Sequence, residues 1–280
     1  MKTRITIICE NTVSPKGGLG EHGFAVFLET ERGNYLFDTG RGQSLIPNLL
    51  HFDKDPLSIR KIILSHGHHD HTGGLPAILE LLGEIEVLAH PDVFSTRYNI
   101  SQKEGKEIKR FAGLKFKRAY LESLGGKFIL EKNYCQVTQE MFLTGEVPRK
   151  TSFEKGDARL FAESGGNLFP DPFFDDQSLV IESPKGLVLV LGCAHAGMIN
   201  ILEYVIEKTG RDQVYAILGG THLDFASPLQ VEETIAALKK YKVEHIGVSH
   251  CTGLKAASRL SAEFREKFFF GQVGETLMLE

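Results

Sequence analysis

The chain has 280 residues, 42% of them hydrophobic and 24% charged, the composition of an ordinary globular protein. Its net charge of −4 argues against nucleic acid as a main partner, which calls for a clear basic excess. No run approaches the roughly 20 apolar residues of a membrane span, and the opening MKTRITIICEN lacks the apolar core and cleavage site of a secretion signal. The four cysteines, Cys9, Cys135, Cys193 and Cys251, are scattered without a CxxC pair, so neither a disulfide framework nor a zinc ribbon is expected, and a reducing cytoplasm is the expected compartment.

In chain order, residues 3–8 and 24–28 read as strands around the Gly-rich loop SPKGGLGEHG, and NYLFDTG (34–40) reads as a third strand that turns at Asp38. RKIILS (60–65) is a β-rich run, LPAILELLG a short amphipathic helix and EIEVLAH (84–90) the next strand. This alternation predicts an α/β layered architecture. From about residue 95 the pattern changes. Residues 97–132 carry ten lysines and arginines against four glutamates, and GKEIKRFAGLKF has helical spacing. A partly helical insertion is expected over about 95–175, completed by the loop-prone MFLTGEVPRKTSFE and NLFPDPFFDDQ. Its basic stretch is either a solvated face or a positive cap for an anionic substrate. The last third is regular again: a hairpin LVIES–GLVLVLG, the helix MINILEYVIEK, the strand VYAILGG, the helix VEETIAALKKYK, the strand HIGVS, the helix SAEFREKF and a terminal strand.

His66, His68, His69 and His71, four of the chain's 11 histidines, stand with Asp70 in six consecutive positions. Imidazoles so crowded repel one another when protonated and add little to a core, whereas neutral ones can face a common cation. His195, His222 and His250, like His66, each follow a hydrophobic strand and a few small residues. In α/β sheets sites gather at the carboxyl ends of strands. Imidazole and carboxylate donors suit zinc, iron or manganese, and these groups are too many for one zinc ion but not for two cations a few ångströms apart. Two divalent metals are expected, zinc first, with manganese or iron as alternatives. His69 is expected to point away from them. His90, before Pro91, reads as structural, and Cys9, Cys135 and Cys251 read as packing residues.

SHGHHDH resembles the HxHxDH signature of the metallo-β-lactamase superfamily, and LFDTG resembles that superfamily's first motif. More narrowly, GCAHAGMINIL, GGTHL and SHCTG resemble the subgroup named for dihydropterin ribofuranosyl-aminobenzene phosphate synthase. The resemblance covers essentially the whole chain. It implies a four-layer αβ/βα sandwich, one domain over residues 1–280, with a dinuclear site at one edge. It implies that His66 and His68 hold a first metal and that Asp70, His71 and His250 hold a second, with Asp70 also serving catalysis. The superfamily's third-motif histidine is absent, since FFDDQSLVI has Asp175 and Asp176 there, and Gly192–Cys193 replaces the usual bridging aspartate. His195 is therefore expected as the remaining ligand of the first metal, with Asp176 in reserve and Cys193 bridging or lining the site. Asp38 is expected to orient a metal-binding histidine, and His222 to touch substrate, act as an acid or brace a ligand. His22 and Glu21 border the site by analogy.

The function implied is a metal-dependent hydrolase that acts on a phosphorylated or otherwise anionic small molecule through a metal-activated water. A pterin-linked transferase, with the metals stabilising a leaving pyrophosphate or phosphate, is the nearest alternative. A di-iron redox protein and a metal-binding protein without turnover are the others.

Overall fold

The run Gly186–Leu191, GLVLVL, is buried at every position because both of its faces meet a core. Side chains alternate across a strand, and here Leu187, Leu189 and Leu191 enter one apolar cluster while Val188 and Val190 enter another. A strand that is apolar throughout is one covered on both sides. In the computed structural model, which describes residues 2–279, this strand lies near the middle of a seven-stranded sheet. That sheet runs Phe268–Phe270, His245–Ser249, Val214–Gly220, Gly186–Leu191, Leu179–Ser183, Met141–Leu143, Cys135–Gln136. A second seven-stranded sheet runs Thr276–Leu279, Thr3–Cys9, Ala25–Thr30, Gly33–Phe37, Ile59–Ile63, Ile85–Ala89, Gly126–Leu130.

The two sheets pack face to face through Ile5, Ile7, Phe37 and Ile63 against Ile181, Val188, Val190 and Leu218. Helices cover the outer faces. Leu45, Leu49, Ile78 and Leu79 pack on one side, and Ile199, Leu202, Val205, Leu238 and Leu260 on the other. This is the four-layer αβ/βα sandwich expected above. Among the described residues no helix is long and apolar enough to cross a membrane.

The inserted segment departs from expectation. Residues read as helical form a hairpin, Thr96–Lys103 with Lys106–Phe111, and only Arg118–Ser123 is helical there. Glu104 and Gly105 both have positive φ (53° and 73°), the requirement of the two-residue turn that matches strand twist. Cross-strand pairing then stabilises the extended form: Tyr98 opposes Phe111, and the Lys109 ammonium sits 3.8 Å from the Tyr98 ring centre. Leu160–Ser164 and Asn167–Pro170, the latter read as loop, complete a four-stranded sheet. The last long helix is Leu254–Phe264, so it starts before SAEFREKF, and Lys267 leads into a strand instead.

Arg97 of this hairpin is buried, yet it is a full ion-pair partner. Its Nε and Nη2 each lie 2.7 Å from a carboxylate oxygen, of Asp171 and of Asp175. Removing a buried partner strands the other charges in a dry interior. Arg97→Ala should therefore lower stability in urea unfolding by about 3–5 kcal/mol. A loss below about 1 kcal/mol would show that Asp171 and Asp175 are solvated without it.

Candidate metal centre

Parallel pairing aligns the carboxyl ends of Gly186–Leu191, Val214–Gly220 and His245–Ser249 in one sheet, and of Gly33–Phe37 and Ile59–Ile63 in the other. Asp38, His66, His195, His222 and His250 follow these ends directly or after a short turn. The turns are strained. Five of the nine non-glycine residues with positive φ cluster here: Asp38, Phe173, Ala194, His222 and His250. Each such residue costs roughly 1–3 kcal/mol and persists only where its surroundings hold it.

Asp38 supplies much of that hold. Its Oδ1 accepts from the Ser65 amide at 2.7 Å, and its Oδ2 accepts from Ser65 Oγ at 2.6 Å and from His71 Nδ1 at 2.7 Å. Ser65 Oγ in turn lies 2.8 Å from His66 Nδ1. One buried carboxylate thus engages the Nδ1 side of two histidines and leaves both Nε2 atoms for the site. Gly192 makes room for this arrangement, since a Cβ there would stand 2.2 Å from Ser65 Oγ.

His66, His68 and His195 form one donor set, with one ligand atom from each within 4.8 Å of the others. His66 Nε2, His68 Nε2 and both nitrogens of His195 are buried without any hydrogen-bond partner. Burial holds these three imidazoles well below the usual histidine range, helped by the positive charge of neighbouring histidines such as His71 and His222. Buried polar atoms are almost always paired, and neutral, buried nitrogens aimed at one another are donors that a cation would satisfy. The residues fit a metal.

Asp70, His71, His250 and Cys193 lie beside them, with Asp70 and His71 in different donor sets: Asp70 with His22 and His250, His71 with His66 and Cys193. His250 Nε2 is 3.3 Å from both Asp70 Oδ2 and His71 Nε2, and Cys193 Sγ is 3.1 Å from His71 Nε2. Burial opposes ionisation of Asp70, but hydrogen bonds from His22 and His250 hold it well below the carboxylate range. Cys193 belongs to three donor sets: with His66 and His71, with His195 and His222, and with His250 and Cys251. It therefore stands between the two groups of ligands.

His195 is placed by its surroundings. The Phe173 ring stacks on it at 4.0 Å with a 9° tilt, Arg149 Nη1 donates to its carbonyl at 2.7 Å, and Asp176 Oδ2 accepts from the Ala196 amide at 2.8 Å. Asp176 spends that oxygen on the loop that carries His195 and joins none of the donor sets. Asp175 does the same for the other loop, accepting from the Gly67 amide at 2.8 Å while it pairs with Arg97. His69 lies outside the donor sets, with Nδ1 3.2 Å from the Ala112 carbonyl. His90 accepts from the Asp92 amide and faces Glu146, away from the site.

A cavity of about 580 Å³ opens over these ligands. Asn99, Ala112 and Leu160 bring the inserted sheet to its wall. None of the ten basic residues between 97 and 132 lines it, because Arg97 is turned inward and the others sit elsewhere. The cations of the cavity are Arg159 and Lys255. His222 also lines it, with Nε2 3.3 Å from Asp157 Oδ2 and Nδ1 unpaired.

Sequence reasoning passed over several participants. Glu10 accepts from the His250 amide at 2.6 Å, and Asn11 Oδ1 lies 3.0 Å from His250 Nδ1. Both follow a strand end, the same signal that singled out the histidines. Cys251, read as packing, lines the cavity beside Cys193. Asp157 and Phe173 sit in irregular segments with no periodic signal to mark them.

Residues 18–250 match the domain of the metallo-β-lactamase superfamily. The chain belongs to that superfamily. It is 34% identical over 257 residues to the 7,8-dihydropterin-6-methyl-4-(β-D-ribofuranosyl)-aminobenzene-5′-phosphate synthase of Methanocaldococcus jannaschii, covering 89% of this chain and 86% of that protein. The crystal structure of a metal-dependent hydrolase of the β-lactamase superfamily superposes with a TM-score of 0.83 at 29% identity, covering 98% of each chain. Human tRNase Z, short form, shares the fold alone, with a TM-score of 0.57 at 12% identity over 99% of each chain.

Such a fold implies divalent metal, and the shared Asp38 brace makes a direct prediction. Asp38→Asn should weaken metal binding about 10–100-fold, measured by competition with a chelator. Unchanged affinity would show that Asp38 does not orient the ligands.

Proposed function

We propose that this protein is a metal-dependent hydrolase of a phosphorylated or otherwise anionic small molecule. His66, His68 and His195 would hold one metal, Asp70, His71 and His250 a second, with Cys193 between them. The observation that carries the reading is the set of unpaired, buried imidazole nitrogens at the floor of a cavity of ligand size. Metals at such positions lower the pKa of bound water toward neutrality and polarise a phosphoryl or acyl oxygen.

The chain's own residues supply the rest. Arg159 and Lys255 place positive charge at the cavity wall for an anionic group. Arg159 is held by Asp157, which pairs its Nε and Nη2, and by the Phe225 ring, 3.8 Å away, so Lys255 is the cation of the wall without a carboxylate partner among the described residues. His222, braced by Asp157, presents its unpaired Nδ1. The inserted sheet narrows the mouth, and Phe173 excludes water from the face of His195. A pterin-linked transferase is the second reading, favoured by the identity to the archaeal synthase across most of both chains. Both readings use the same metals and the same anion contacts, and they differ in whether water or a second substrate attacks.

The test is an assay of metal-stripped and metal-restored protein against phosphomonoesters, phosphodiesters, lactones and a dihydropterin diphosphate with an aminobenzene acceptor. Metal-dependent turnover of a phosphoester supports the hydrolase. Turnover only with both pterin substrates supports the transferase, and none with any substrate would contradict both. Within whichever reaction is found, His195→Ala should lower kcat/KM by about 100-fold, and Lys255→Ala should raise KM for the anionic substrate several-fold while sparing a neutral lactone. Equal effects of Lys255→Ala on charged and neutral substrates would remove its role in anion binding.

A further inference from the structure

His22 is the exposed member of an otherwise buried cluster. Its side chain is 55% exposed, yet Nε2 lies 3.1 Å from Asp70 Oδ2 and the ring stands 4.8 Å from that of His250. One ligand atom each from His22, Asp70 and His250 fall within 4.8 Å of one another. Exposed side chains usually sample many positions, and this one is restrained by its backbone. Glu21 before it accepts from the amides of Arg41, Gly42, Gln43 and Ser44 at 2.8–3.2 Å, and its own amide donates to the Glu10 carbonyl. After it, the Gly23 amide donates to Asn11 Oδ1, and the Phe24 amide donates to the Asp70 carbonyl at 3.2 Å. Gly23 must be glycine for this closeness, since a Cβ there would stand 2.5 Å from Asp70 O. The chain thus fixes the backbone that carries this imidazole, which reaches Asp70 from the solvent side.

We infer that His22 is an additional ligand of the second metal position, on its solvent-facing side. The inference rests on the two-position reading proposed above. Zinc in catalytic sites is four-coordinate and sometimes expands to five, and an imidazole that enters from an exposed loop can leave again when substrate needs the place. Asp70 and His250 are buried and cannot do so.

The test uses the full chain loaded with cobalt(II) alone. Affinity of each equivalent is read by chelator competition, and the coordination environment by the visible absorption spectrum. His22→Ala should weaken the more loosely held equivalent by at least about 10-fold and alter its bands. His22→Gln keeps an N–H donor toward Asp70 without an imidazole nitrogen, and should resemble His22→Ala. A His22→Gln protein that binds and absorbs like wild type would overturn the inference, because His22 would then only orient Asp70. Unchanged binding in His22→Ala would overturn it too. His71→Ala, measured in parallel, separates the levels: if it loses an equivalent while His22→Ala keeps both, only the His22 assignment fails. If His71→Ala also keeps both, or wild type binds no cobalt, the two-position reading falls with it. Equal thermal unfolding of the metal-free variants confirms that each is folded.

Discussion

The buried carboxylate of Asp38 is the interaction on which the centre depends. It stands in a left-handed turn between two parallel strands and serves His71 directly and His66 through Ser65. Without it, two imidazoles in a dry pocket would be free to rotate or to present either nitrogen. Burial alone would lower the His71 pKa, and the charge and hydrogen bond of Asp38, with Asp70 and Cys251 nearby, raise it to about 9. A proton at His71 Nε2 would point at Cys193 and His250, so a cation at that place takes over what the proton would otherwise balance.

A second layer of carboxylates reaches the site through backbone amides. Asp175 and Asp176 accept from the amides of Gly67 and Ala196, Glu10 from His250, and Glu154 from Ile199 and Asn200. Each of these amides lies in or beside a loop that carries a ligand. Arg97 ties this layer to the four-stranded sheet, which also gives the cavity part of its wall. Phe173, between Asp171 and Asp175, then stacks on His195. The segment DPFFDD thus holds His195 and the loop that carries it from behind.

Much of this was legible in the sequence. Strands apolar on both faces, such as GLVLVL, announce the layered sandwich, and small residues followed by histidine announce where ligands converge. The reading lost the four-stranded sheet because the spacing of GKEIKRFAGLKF fits a helix, while its strand character comes from the Glu104–Gly105 turn and from pairing with Thr96–Lys103. It also overrated the basic insert, since counting charges says nothing about where they point. Glu10 and Asn11 were readable by the strand-end rule applied to acids and amides. Asp157 and Phe173 were not, because their contacts are made between irregular segments far apart in sequence.

The most direct measurement is a crystal structure of the zinc-loaded protein with anomalous diffraction at the metal edge. The account predicts two anomalous peaks. One should lie about 2.0–2.1 Å from imidazole nitrogens of His66, His68 and His195. The other should lie among Asp70, His71 and His250, with Cys193 Sγ toward both. A peak bonded to the Asp176 carboxylate with His195 turned away, or no peak beside His66 and His68, would contradict it.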